Sequence, residues 1–526
     1  MSQSHDNSKS HSEHVEHVGS GSAAVEQTYE ERVEVTEEDN RRILWKTDLN
    51  LLTVLAWVYW LQILDKTVLG YAATFGMIQD ANLVGTQYST IGSINAIAQL
   101  RLAALLKLCP CACSAPVPDA CHRFLLGGLI MWNGSKYPEL LATRFLLGLF
   151  EAACLPLFAI LTSIWYRRAE QPIRVCTWYS TNGMGTIMAS VFAYGFGHIN
   201  NPALHTYQIL FIFCGLLTVV TAPVIFWKID NNVSEARFLS PEDRRKAVER
   251  LRSNNTGTTA TNTFKWRQAV EALTEIKTWL FFSMTLLLNV GASVANVFGP
   301  LILNGIGFDK YRTSLLNMPF GAMQIIIIWA TSYGAYTWKN KSAVIAALVI
   351  PVVVGLTLLF VRPNGGSQGL LLFAYYLLAF LFGANPLIIS WMTANIAGST
   401  KKSVCLSGFN AAVAVGNIIG PLLFVEKDKP EYKNGLKVTL AIFAALFAVV
   451  ILQVINLTVL NKFKRRERIK NGKPADIRDL SMEKKFRNEA EPSPDKIEAS
   501  TTGAHLGDNA FTDLTDSQND EFVYVY

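Results

Sequence analysis

Apolar runs of about 18 to 25 residues recur along most of this chain, the length needed to cross a hydrocarbon core ~30 Å thick. They lack the amphipathic alternation that a soluble core of this size would show. The runs lie near 49–67, 87–106, 122–133, 140–165, 175–196 and 207–228, then near 278–302, 313–335, 342–361, 368–391, 404–424 and 436–460. The expected fold class is an all-α membrane protein with twelve transmembrane helices in two six-helix bundles.

The polar residues collect outside these runs. Across 526 residues the chain is 50% hydrophobic and 17% charged, averages that understate the apolar middle. The expected organisation is a disordered cytoplasmic tail over 1–48, an N-terminal bundle over 49–228, a cytoplasmic loop over 229–277, a C-terminal bundle over 278–460, and a disordered cytoplasmic tail over 461–526. The start, "MSQSHDNSKSHSEHVEHVGSGS", lacks the basic and apolar regions of a secretory signal, so the first span is expected to act as signal and anchor. His5, His11, His14 and His17 in that tail read as solvated, and neither a metal nor a cofactor is expected. The net charge of +6 does not imply nucleic acid, because Lys and Arg gather at span ends. Arg41, Arg42 and Lys46 precede the first span and "NKFKRRERIK" follows the last, which places both termini in the cytoplasm. Lys427, Lys429 and Lys433 then fall outside, against that rule. The eight cysteines form no visible extracellular disulfide framework; within spans a thiol serves as a small apolar filler.

The halves look related. "RVCTWYSTNGMG" after the fourth run resembles "SVCLSGFNAAVAVGN" after the tenth. Two facing bundles suit alternating access, with the solute held at midplane between them.

Charges inside the runs carry the chemistry. "LLATRFLLGLFEAACLPLFAIL" holds Arg144 and Glu151 on one helical face, ~10 Å apart along the axis. "LQILDKTVLGYAATFG" holds Asp65 and Lys66, which as neighbours point about 100° apart. Each buried charge costs at least ~2.5–3.5 kcal/mol on insertion scales, and such residues usually mark ion paths. Two acids and two bases can balance across helices, either as static ion pairs or as a working site. In the working site a carboxylate takes up and releases a proton, while a guanidinium grips a carboxylate in two places. Asn182, Asn410 and Asn417 fall inside the fifth and eleventh runs and serve either a polar solute or helix packing. Gly183, Gly185, Gly416 and Gly420 read as close-contact positions.

These residues resemble the major facilitator superfamily, and more narrowly a fungal allantoate-permease-like member of its anion:cation symporter family. The matching stretches are "LQILDKTVLGYAATFGMIQD", "RFLLGLFEAACLPLFAILTSIWYRRAEQPIR", "FGPLILNGIGFDKYRTSLLNMPFGA" and "TANIAGSTKKSVCLSGFNAAVAVGNIIGPLLF", within roughly residues 45–460. The resemblance implies pseudo-symmetric halves and proton-coupled uptake of a small organic anion, such as allantoate, a ureido acid or a carboxylate vitamin. It implies proton coupling at Asp65 and Glu151, and substrate binding at Lys66, Arg144 and Asn182; Asn410 and Asn417 stay candidates from their own positions within the runs. It also implies a multi-pass protein of the plasma membrane, acting as a monomer with protons, a small anion and lipid as partners.

One stretch departs from the family. Where a Gly- and Arg-rich gating loop is expected, the chain reads "QLRLAALLKLCPCACSAPVPDACHRFLLGG". A frameshifted or misplaced splice boundary, a divergent loop and a thiol site are the competing readings, the last lacking the paired spacing of zinc sites. A transport-inactive protein or nutrient sensor is the corresponding alternative function. Ser493-Pro494 in the final tail reads as a candidate phosphorylation site. An enzyme is not expected: His122, His198 and His205 fall at span edges, and no phosphate-cradling G-x-x-x-x-G-K-[ST] occurs.

Overall fold

The first helix begins well before the chain becomes apolar. Thr36 Oγ1 accepts the backbone N–H of Asp39 at 3.2 Å, and Glu37, Glu38 and Asp39 fill the first turn, where a side-chain cap and negative charge both favour initiation. From there α1 runs Glu37–Asp80. It contains a π-helical turn at Ala73–Met77, in which Gly76 takes φ +104° and re-aims the last turn. The computed structural model describes residues 33–108, 136–251, 264–475 and 513–526, apart from 85–86, 153, 168, 200–203, 229, 231–232, 306, 362–366 and 424–432. The third expected run, the cysteines Cys109, Cys111, Cys113 and Cys121, the histidine tract and Ser493 lie outside the described residues.

The N-terminal half continues with α2 (Gln87–Leu108), α3 (Tyr137–Glu151), α4 (Cys154–Trp165), α5 (Gln171–Phe196) and α6 (Thr206–Lys228). The fourth expected run is thus two helices, and the interruption falls directly after Glu151. Two connecting helices follow, α7 (Pro241–Leu251) and α8 (Trp266–Thr274). The C-terminal half comprises α9 (Ile276–Gly305), α10 (Lys310–Trp338), α11 (Lys341–Val361), α12 (Gln368–Ala394), α13 (Ser399–Leu422) and α14 (Lys433–Lys470). Among the described residues, six helices are long and apolar enough to cross a membrane by length and composition.

Two expected boundaries move, both at the tails, because charged residues find partners far along the chain. The first is the tail expected to be disordered to residue 48. Its part from Glu37 onward is instead helical and held by α7: Asp243 pairs with Arg42 at 2.7 Å and with Lys46 at 2.8 Å, and Lys246 pairs with Asp39 at 3.0 Å. In the central loop α7 is anchored further by Arg250, whose Nη2 donates to the Trp165 carbonyl at 3.0 Å. The second is the final tail. There α14 runs on to Lys470, and residues 513–526 pack under the C-terminal bundle, with Phe522 and Tyr524 buried.

The halves meet along α5 and α10. A Cβ on Gly183 would run into the Gly321 carbonyl oxygen, and one on Gly321 would lie 2.7 Å from the Gly183 oxygen. Neither position accepts a side chain, as small-residue helix contacts in membranes require. Toward one end of this seam Cys176 Sγ donates to the Ile328 carbonyl at 3.4 Å. Toward the other, the Tyr311 hydroxyl donates to the Gly197 carbonyl at 3.3 Å. Phe75, beside the bent Gly76, packs edge-on against Tyr311 there, with centroids 5.8 Å apart.

Candidate functional site

Two adjoining hollows lie between the halves. One, of about 90 Å³, is bordered by Gln62, Lys66, Glu151, Asn289, Asn385 and Asn410, among others. The other, of about 130 Å³, is bordered by Lys66, Tyr88, Asn95, Gln99, Arg144 and Ser293, among others. Lys66, Asn182 and Asn417 face both.

Of the seven residues singled out from the sequence, six therefore line this space, contributed by α1, α3, α5 and α13. Asp65 does not. Its neighbour Lys66 turns into the cavity, and Asp65 itself is only 1% exposed behind it. The 100° between successive helical residues makes that division unavoidable. Asp65 still meets the site through its backbone, whose carbonyl accepts Arg144 Nη1 at 3.1 Å.

The charged groups are incompletely matched. Lys66 Nζ lies 3.6 Å from Glu151 Oε2, an ion pair longer than a hydrogen bond. Arg144 stacks over the Phe211 ring at 5.3 Å from its centroid, a favourable cation–π arrangement. Its Nη2, both carboxylate oxygens of Glu151 and of Asp65, and Gln62 Oε1 are buried without a hydrogen-bond partner among the described residues. Buried polar atoms are nearly always bonded, so a concentration of exceptions has to be explained. A polar solute would supply partners for those that border the cavity.

The asparagines divide by role. Asn410 donates to the Ala152 carbonyl at 2.9 Å, at the interruption next to Glu151, and so ties α13 to the acid of the opposite half. Asn182 and Asn417 border the cavity. Sequence reasoning missed Asn289 and Asn385, which exchange side-chain hydrogen bonds at 3.3 and 3.4 Å between α9 and α12. It also missed Gln62, Asn95 and Gln99. A signal was available, because Gln62 sits one turn before Lys66, and Asn95 and Gln99 are spaced i,i+4, the intervals at which residues share a helical face.

Comparison with known proteins places this geometry. Residues 123–421 match the family model described as Major Facilitator Superfamily. An uncharacterized transporter of Schizosaccharomyces pombe is 31% identical over 500 residues, covering 93% of this chain and 88% of the relative. The allantoate permease of Saccharomyces cerevisiae is 28% identical, covering 94% of this chain and 88% of the permease. The thiamine pathway transporter of the same yeast is 30% identical, covering 76% of each. In fold, the chain resembles the proton:xylose symporter XylE bound to 6-bromo-6-deoxy-D-glucose, with a TM-score of 0.60 at 12% identity, over 79% of this chain and 95% of that one. With two helical halves around a polar central cavity, the chain belongs to the Major Facilitator Superfamily and is a multi-pass membrane transporter.

Proposed function

We propose that this transporter imports a small organic anion together with a proton by alternating access, as a monomer in the plasma membrane with both termini in the cytoplasm. The observation that carries this reading is the shared cavity wall on which Lys66 stands between Glu151 and the face that Arg144 borders.

Charge balance supplies the coupling. Asp65 and Glu151 together offset Lys66 and Arg144, so the empty site is formally neutral. A monoanion alone would leave one uncompensated negative charge in a low-dielectric interior, which costs several kcal/mol. One proton on Glu151 restores neutrality and frees Lys66 to meet the solute. Arg144, with one nitrogen held by the Asp65 carbonyl and another unbonded among the described residues, presents a donor to a carboxylate. Asp65 serves as the second acid, setting the charge that Arg144 sees. Asn182 and Asn417 supply neutral hydrogen bonds, and Asn410 links the state of Glu151's helix to the C-terminal half.

The relatives named for allantoate and for the thiamine pathway are compatible with a nitrogen-rich carboxylate, a ureido acid or a carboxylate vitamin. Allantoate is the first probe. In cells, its uptake should rise as external pH falls and collapse with a protonophore. Saturable uptake of the responsive anion that ignores both treatments would reject proton coupling.

A further inference from the structure

The last fourteen residues, DLTDSQNDEFVYVY, reach five helices of the C-terminal half as well as α8. Asp513 accepts the Ser399 backbone N–H at 2.7 Å at the start of α13 and pairs with Lys265 at 2.8 Å. Asp516 has a side chain 0% exposed and sits between Lys277 of α9 and Lys401 of α13, the latter at 2.9 Å. It also accepts the Ala397 backbone N–H at 3.2 Å and the Tyr524 hydroxyl at 2.8 Å.

The end of the segment is read through its backbone. Asn395, directly after α12, bonds both polar groups of Val525, donating to its carbonyl at 3.0 Å and accepting its N–H at 2.8 Å. Asn461 of α14 does the same for Tyr524, at 2.9 and 3.0 Å. Trp391 Nε1 adds a second donor to the Val525 carbonyl at 2.8 Å, and the Lys341 N–H of α11 donates to the Tyr526 carbonyl at 2.8 Å. Two amide side chains gripping successive peptide units, with pockets for alternate aromatic residues, is the logic by which proteins bind extended peptides. Phe522 is 1% and Tyr524 3% exposed in those pockets.

At its buried centre the groove does not depend on its occupant for charge balance. Lys401 pairs with Glu271 at 2.8 Å and Glu275 at 2.6 Å, and Lys277 pairs with Glu275 at 3.1 Å. Two lysines therefore keep two carboxylates when Asp516 leaves, and Asp516 arrives as a third acid. A buried centre that stays neutral when empty can release its ligand, and Lys265 and Lys473 at the rim, whose carboxylates the segment supplies, favour recapture of an acidic one.

We infer that the cytoplasmic face of the C-terminal bundle is a binding site for an acidic peptide with alternating aromatic residues, and that the chain's own residues 513–526 occupy it reversibly. Asp516 is the specificity anchor, and Asn395 and Asn461 hold the backbone.

The test uses purified protein lacking residues 513–526 and a fluorescent synthetic peptide of that sequence. Saturable binding is expected, with a rise in melting temperature of about 2 °C or more as the peptide is added. A peptide carrying Asp516→Asn should bind at least ~10-fold more weakly, because it loses the charge-assisted bonds to Lys277 and Lys401. No saturable binding, or equal affinity for the Asp516→Asn peptide, overturns the inference. Where the shortened protein does not fold, hydrogen exchange on the full chain decides. The Tyr524 and Val525 amides should be protected and should lose protection in Asp516→Lys; free exchange in the unaltered protein overturns it.

Discussion

Glu151→Gln fixes the cavity carboxyl in its protonated shape, and its consequences follow from one distance. Lys66 Nζ and Glu151 Oε2 are 3.6 Å apart. Opposite unit charges near that separation attract by about 4 kcal/mol at an effective dielectric constant of 20 and about 1 kcal/mol in water. Lys66 is 40% exposed, so the lower figure is the safer guide. An anion competing with ionised Glu151 for Lys66 thus forfeits at least ~1 kcal/mol, roughly fivefold in affinity. The Gln variant removes that competitor and should bind the anion at pH 8 at least ~5-fold more tightly than the unaltered protein, with a weaker dependence on pH.

The same variant also has no proton to carry. In proteoliposomes, an inward gradient of two pH units is worth ~2.7 kcal/mol per proton, or about 100-fold accumulation of a monoanion moved with one proton. The unaltered protein should approach that limit and ignore an imposed membrane potential, since no net charge crosses. Glu151→Gln should exchange labelled for unlabelled substrate but accumulate none. Gradient-driven accumulation by the variant, or potential-driven accumulation by the unaltered protein, would refute the charge-balance argument.

Arg144→Lys should raise KM by roughly 10- to 100-fold with a smaller change in maximal rate, because an ammonium reproduces neither the two-pronged grip nor the stacking on Phe211; an unchanged saturation curve would remove Arg144 from the site. Gly321→Val should lower the melting temperature and protein yield, since its Cβ meets the Gly183 carbonyl; normal stability would mean that the seam is looser than described. Peptide docking at the C-terminal bundle should not vary across cytosolic pH. Burial alone would raise the Asp516 carboxyl, but Lys277 and Lys401 hold it well below its ordinary 3.8, so its contribution is complete above that value and is lost as pH falls beneath it. Glu275 is shifted upward by burial and by Asp516, so its protonation in mild acid should tighten docking before the collapse; titrating the fluorescent peptide against pH checks both. Phosphate on Ser517 removes its hydrogen bond to Glu271 and places negative charge beside that carboxylate; a phosphopeptide should bind at least ~5-fold more weakly, and equal binding would show that Lys464, which already holds the Ser517 carbonyl, compensates.

The spans were legible because bilayer thickness dictates the length of each apolar run, and the cavity charges because burying them is costly. Gly183 was legible as a contact position, although its partner Gly321 was not, since nothing in a helix names the neighbour it will face. Local composition failed at the polar ends. "EEDNRRILWK" reads as a solvated tail until Asp243, some 200 positions later, offers its carboxylate to Arg42 and Lys46. "DSQNDEFVYVY" reads as disordered because its partners, among them Lys277 and Asn395, lie far back in the chain. The neutral lining of Asn289 and Asn385 was missed for a different reason. Amides in apolar runs serve packing and binding equally, and only the reciprocal pair between α9 and α12 shows which.

The crossing of α5 and α10 has a mechanical consequence. Where Gly183 meets Gly321, main chain comes up against main chain, flanked by the Ile187 and Ile325 side chains. Fewer side chains have to disengage at such a contact than at a fully interlocked one, so one half can tilt over the other. The point of tightest approach is therefore suited to be the axle, stiff against separation and permissive to rotation.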